Sequence, residues 1–198
     1  GTGSVAGPGF SAVTVTSQLP LVMNRSNSGL AFKSINKYQK FMVDIRYNSL
    51  TKAEFNVVYP FLLQRQATLE AFFVELPQYG NSSAGTRTID LSGGSAEAGA
   101  TTLTLTSVTS ILVADMFFIT DPQDSTHVKT YKVTKISGNV LTISPPLQRK
   151  LDNTLSGTRQ ATFSTPKMRV CVVGSDIQYS VNAKGLYSFS VKLEENLS

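Results

Sequence analysis

FMVDIRY, residues 41–47, alternates the large apolar side chains Phe41, Val43, Ile45 and Tyr47 with Met42, Asp44 and Arg46. A strand repeats its side-chain direction every second residue, so this spacing puts the first four on one face of a sheet, to be buried together. The same period returns late in the chain, in LYSFSVKLEE, where Tyr187, Phe189, Val191 and Leu193 alternate with Ser188, Ser190, Lys192 and Glu194. Two strands of one texture, far apart in sequence, predict one sheet built from both ends of the chain.

Working outward, the apolar stretch Leu19–Met23, the polar turn Asn24–Gly29 and Leu30–Ile35 read as a hairpin. After the first strand comes TKAEFNVVYPFLLQRQ, in which Thr51 and Glu54 have capping-box spacing, and Phe55, Val58, Tyr59 and Leu62 recur at helical intervals. One amphipathic helix is expected near residues 52–66. Pro60 lacks the N–H that would reach the Asn56 carbonyl, so a kink or a restart is expected there. TLEAFFVELP then reads as a buried strand ended by Pro77, with a polar breaker over Tyr79–Gly85.

The texture changes from there to about Ser164. TRTIDL, TTLTLT, MFFIT, VKTYKVTKI, NVLTISPPL and QATFS are short, threonine-rich strand candidates separated by Gly, Asp, Ser or Pro signals. Such spacing predicts a small antiparallel module, with Gly138–Asn139 as a two-residue hairpin turn and SGGSAEAGA and SPPLQRKLDNTLSG as surface loops. MRVCVV, IQYSV and LYSFSVKLEE restore the first texture, the last two joined by a turn at Asn182–Gly185. The expectation is a mainly β chain: an antiparallel β-sandwich or split barrel from residues 1–80 and 166–198, with one packed α-helix, and an inserted small β-subdomain at 81–165.

Composition narrows the function. The chain has 198 residues, 41% of them apolar and 16% charged, enough to bury a core and with no apolar run of spanning length. Its net charge of +5 is spread out: +3 over 1–80, +1 over 81–166 and +1 over 167–198. The densest basic stretch, Lys33, Lys37, Lys40 and Arg46, reads as solvated lysines that discourage edge pairing rather than as a nucleic-acid track. GTGSVAGPGF has neither the charged and apolar regions of a signal peptide nor a myristoylation pattern, so neither secretion nor lipid anchoring is expected. The sequons at Asn24, Asn81 and Asn196 matter only in a secretory context.

Reactive groups are few. Cys171 is the one cysteine and His127 the one histidine. Cys171, inside MRVCVV, reads as a small buried hydrophobe, because a catalytic thiolate needs an imidazole that its own segment lacks. DPQDSTH brings Asp121, Asp124, Ser125 and His127 together, a set that could ligate a metal or exchange protons, but Asp-Pro and Asp-Ser are ordinary turn formers and the stretch reads as a turn. Glu70 and Glu75 flank an apolar strand, and Glu194 and Glu195 close the last one, so no carboxylate pair is set up by spacing. There is no phosphate loop, dinucleotide fingerprint or HExxH. The expectation is no catalytic residue, no cofactor and no metal, which leaves assembly through strand edges.

The order of parts resembles tailed-bacteriophage tail proteins of the distal-tail and baseplate-hub type, which are related in fold to tail-tube subunits. The likeness lies in TKAEFNVVYPFLLQRQATLEAFFVELP, in AGATTLTLTSVTSILVADMFFITDP with YKVTKISGNVLTISPPLQ, and in IQYSVNAKGLYSFSVKLEENL. It covers most of residues 30–198 as an order of elements rather than an invariant motif. The resemblance implies a structural virion protein, not an enzyme, made in the bacterial host cytoplasm. It would form a ring of its own copies, usually a hexamer, between the tail tube and the baseplate or tip, with DNA at most passing through the lumen and no membrane partner. A tail-tube subunit and a carbohydrate- or receptor-binding β-module are the alternative readings.

Overall fold

The computed structural model describes residues 8–19, 21–25, 31–35, 39–125, 127, 129–174 and 176–196, with 21–25 and 31–35 described by their backbone. The polar turn expected over Asn24–Gly29 lies outside these residues from 26 on, as do Leu30, Lys37 and Tyr38. The chain is mainly β, with two six-stranded sheets, a separate two-stranded ladder and a single α-helix among the described residues. It divides into two compact units, Gly1–Phe72 with Val170–Asn196, and Phe73–Arg169. The sequence texture places these boundaries at 80/81 and 165/166. The difference arises because Leu76 donates to the Pro166 carbonyl and Asn81 to that of Phe163, which ties residues 76–81 to the second unit.

The first unit is organised on β4 (Lys40–Leu50) and β14 (Tyr187–Glu195), the two strands whose alternation stands out in the sequence. They pair antiparallel with Val43 opposite Leu193, Ile45 opposite Val191 and Tyr47 opposite Phe189, so the apolar sets coincide on one face. All six side chains are buried, and the Tyr47 and Phe189 rings stack at 4.8 Å. Each such burial contributes roughly 1.5–3 kcal/mol. On the other flank of β4 lies β1 (Ala12–Gln18), paired from Ala12–Arg46 to Gln18–Lys40. The sheet order is β1-β4-β14-β12-β5, where β5 is Phe72–Glu75 and β12 is Lys167–Val172, and β13 (Tyr179–Val181) forms the terminal hairpin with β14. β5 is shorter and less buried than TLEAFFVELP suggests. Only Val74 in it is buried, and Phe73 is 45% exposed.

The helix α1 runs from Lys52 to Thr68. Thr51 caps it: its hydroxyl accepts from the Glu54 amide, and the Glu54 carboxylate accepts from the Thr51 amide at 2.8 Å. Those bonds hold the Glu54 carboxyl below its usual range. Pro60 does not restart the helix, which passes through it without interruption. Phe55 and Leu62 are buried on one side and on either side of the proline, and that burial offsets the lost bond to Asn56. Leu69 then ends the helix in the left-handed region at φ 53°.

The second unit is a closed barrel. Its strands are β6 (Thr86–Thr88), β7 (Thr102–Thr104), β8 (Met116–Thr120), β9 (Thr130–Ser137), β10 (Val140–Ser144) and β11 (Gln160–Thr162), in the order β6-β11-β8-β9-β10-β7. The ring closes between its first and last members: Ile89 bridges Leu105, Asp90 donates to the Thr104 carbonyl and Thr106 to that of Thr88. Inside sit Phe117, Tyr131, Leu103, Leu105, Ile119, Leu141 and Phe163, each no more than 2% exposed. Gly138, at φ 56°, takes the first position of the two-residue turn between β9 and β10, where a side chain would be strained. The pairing β2 (Leu21–Arg25) with β3 (Ala31–Ile35) matches the hairpin expected there, and this ladder belongs to neither large sheet.

Candidate assembly surface

The residues with reactive chemistry are engaged in structure. In the second unit, the DPQDSTH segment does turn, with Asp124 donating to the Asp121 carbonyl and Gln123 to the Asp121 carboxylate. It is not merely a solvated turn, however. Asp121 is buried against Arg159, Oδ1 to Nε 3.1 Å, with both side chains 3% exposed. Arg159 also donates to the Leu155 and Gly157 carbonyls at 2.7 Å. His127 is buried too, with Nε2 at 2.9 Å from the Tyr131 hydroxyl, which in turn accepts from the Gln148 amide. Burial pushes the His127 pKa down to about 4 against the pull of Asp124 and Asp121, so at neutral pH the ring is uncharged. Ser125 is exposed. The loop's polar side chains brace the barrel, and among the described residues no group of three or more His, Cys, Asp or Glu is placed to hold a metal.

The other candidates do not converge. Cys171 is half-buried rather than buried, because β12 turns Met168, Val170 and Val172 inward and leaves Cys171 on the opposite side; its Sγ lies 3.7 Å from the Glu194 carbonyl oxygen. Glu70 pairs with Arg65, Glu75 with Lys167 at 3.0 Å, and Glu194 with Lys40 at 2.7 Å. Glu195 is buried and accepts from the Phe41 amide at 3.1 Å. An aromatic cluster that the sequence did not single out gathers Phe55, Tyr59, Tyr179 and Tyr187 in the first unit, with Phe55 stacked on Tyr187 at 4.4 Å and on Tyr59 at 4.7 Å. Its ring faces are spent on one another, and the Tyr59 hydroxyl donates to the Ile177 carbonyl. That leaves Tyr179, 51% exposed, as a partial platform.

Two stretches of the first unit's surface carry no charge, although Arg46, Lys52, Glu54 and Lys192 are exposed elsewhere on it. β1 reads AVTVTSQ, is largely exposed, and pairs with β4 alone among the described strands. From Gly1 to Asn24 there is no ionisable side chain, the first being Arg25. Natural sheets protect an open edge with Lys, Pro, a bulge or a covering element, and β1 carries no charge of its own to do so. Sequence reading passed over β1 because only Val13 and Val15 are even half-buried, although the alternation VTVTS was there to be found. Along α1 an uncharged stripe of Ala53, Val57, Pro60, Leu63, Gln64 and Ala67 is exposed, beside the exposed Lys52, Glu54, Asn56 and Thr68. A solvent-facing helix surface is normally charged or polar, and this stripe is mostly apolar. No protein-family model and no curated protein matches the chain.

Proposed function

We propose that the chain is a structural subunit of a phage tail, of the distal-tail or baseplate-hub kind, which joins copies head to tail into a ring between tail tube and tip. The observation that carries this reading is the contrast between the two sheets. The barrel uses up both of its edges internally, whereas β1, largely exposed and uncharged, pairs with β4 alone among the described strands. Edge strands of this kind add a further strand from another chain, and head-to-tail addition closes a ring when the rotation per copy divides the circle. The order of elements in the sequence supplies the tail assignment. On this reading the protein is not an enzyme and holds no cofactor, its partners are its own copies and the neighbouring tube and hub proteins, and DNA passes only through the lumen. The same contacts would serve a tail-tube subunit, which stacks ring on ring.

Native mass spectrometry of the purified chain tests the proposal. A ring of fixed copy number is expected, with Thr14→Lys and Thr16→Lys together shifting it to monomers while the thermal transition stays in place. Regular stacking of rings would favour the tube subunit. A wild-type chain that stays monomeric at every concentration, with or without the neighbouring tail proteins, would overturn the ring. Normal tails on virions lacking this protein would remove the structural role altogether.

A further inference from the structure

We infer that the second unit binds a small, neutral saccharide in the cleft beside Arg159, where the barrel closes. The inference goes beyond the ring and does not depend on it. The cleft measures about 410 Å3, within the roughly 300–1,000 Å3 of small-molecule sites. One wall is the chain leaving β6, with Thr88, Leu91 and Ser92, and the other is the loop before β11, with Asn153, Leu155 and Thr158. The Ile89 amide donates to the Arg159 carbonyl at 2.9 Å and ties one wall to the other.

Arg159 sets the chemistry. Its side chain is 3% exposed, with Nε at 3.1 Å from the Asp121 carboxylate and Nη1 donating to the Leu155 and Gly157 carbonyls at 2.7 Å. Nη2 is buried and has no hydrogen-bond partner among the described residues. A buried donor left unpaired is costly, so a ligand oxygen that reaches Nη2 gains a bond the protein itself does not supply. The loop whose carbonyls hold the guanidinium, residues 153–158, is exposed throughout, the kind of segment that opens locally to admit such an oxygen. Arg159 is the one ionisable residue lining the cleft among the described residues, and Asp121 already balances it. An anion would place a second negative charge beside Asp121, so the acceptor is neutral. The Thr88 and Thr158 hydroxyls hold no hydrogen bond among the described residues, and each can donate and accept, as sugar hydroxyls do. Leu155, 49% exposed, and the half-buried Leu91 supply apolar surface for the C–H face of a sugar ring. A purely apolar ligand would leave Nη2 unpaired. A peptide would need a strand edge, and here Ile89 already pairs with Leu105 on one side and Arg159 on the other.

Titration of the isotope-labelled full chain, followed by NMR, tests this with glucose, galactose, mannose and N-acetylglucosamine as probes, and with glucuronate and a neutral tripeptide as controls. At least one neutral sugar should shift the amides of Thr88, Ser92 and Thr158 and the Arg159 guanidinium signal, saturating in the millimolar range. Thr158→Val removes a free hydroxyl and keeps its shape, and Leu155→Ser removes apolar surface. Each should weaken that sugar by about five-fold or more. Both residues are exposed, so the melting temperature should not move and the Asp121–Arg159 pair is left alone. Saturable shifts from none of the neutral sugars, or an affinity unchanged in both variants, would overturn the cleft assignment. Tighter binding of glucuronate would make it an anion site instead, and tighter binding of the tripeptide a peptide groove. A chain that never forms rings, yet binds the sugar, would remove the ring and leave the cleft standing.

Discussion

His127 links a single side chain to the stability of a whole barrel. In an unfolded chain the imidazole protonates near pH 6.5, but in the barrel burial delays protonation to about 4. The unfolded state takes up the proton first, so stability present above about pH 6.5 drains away as the pH falls through about 4, by about 3 kcal/mol in total. Urea midpoints measured across that window should fall for the wild type and fall less for His127→Gln, and parallel slopes for the two would refute the assignment. The Asp121–Arg159 pair makes a sharper demand, because a guanidinium left alone in the barrel cannot recover its hydration. Asp121→Ala is expected to cost about 3–5 kcal/mol, and Asp121→Ala with Arg159→Met much less. Equal losses in the single and double variants, by urea unfolding, would show that the charge is not what matters. The sequence names Asp121 and His127 but reads them as turn residues. Arg159 lies far from Asp121 in the sequence and only the folded barrel brings it near, whereas Tyr131 is four residues from His127 and what the sequence hides is that both are buried.

At the scale of elements, legibility followed burial. β4 and β14 declared themselves because one face of each is fully buried, which forces strict alternation, and their shared texture led to strands that pair directly. The capping box at Thr51 and Glu54 was legible because both halves of it lie within four consecutive residues. β1 left only a faint trace, since its alternation rests on Val13 and Val15, both merely half-buried. TLEAFFVELP does hold a strand that stops before Pro77, where a single 3-10 turn, Pro77–Tyr79, follows; Val74 and Leu76 are buried, but the apolar run overstated the burial of Phe73, which points to solvent. Just after that turn, Gly80 has an ordinary negative φ of −82° but no room. A Cβ there would lie 2.1 Å from the Ser164 carbonyl oxygen, a contact that only backbone movement could relieve. Gly80→Ala should therefore destabilise the second unit by about 2–3 kcal/mol. Thermal unfolding checks it, and an unchanged midpoint would mean that the 77–81 segment moves freely away from Ser164.

For the whole molecule, the sequence yields two textures but not the reason they are separable. Barrel closure rests on Ile89 meeting Leu105 and on two backbone bonds beside them, long-range contacts with no local signature. The consequence is that the second unit's barrel closes on itself, while in the first unit β1 pairs with β4 alone and β2 with β3 alone among the described strands. Folding and assembly should then segregate. The fragment Phe73–Arg169 contains the strands that close the barrel and the side chains that fill it, so it should unfold in one cooperative transition and remain monomeric. On the ring reading proposed above, residues 1–72 joined by a short linker to 170–198 should associate as the full chain does, because β1 and α1 belong to that unit. Sedimentation velocity on the two pieces separates the outcomes. Self-association of the barrel fragment, or a purely monomeric first unit from a parent chain that forms rings, would place the joining surface on the barrel and displace β1 from the role proposed for it.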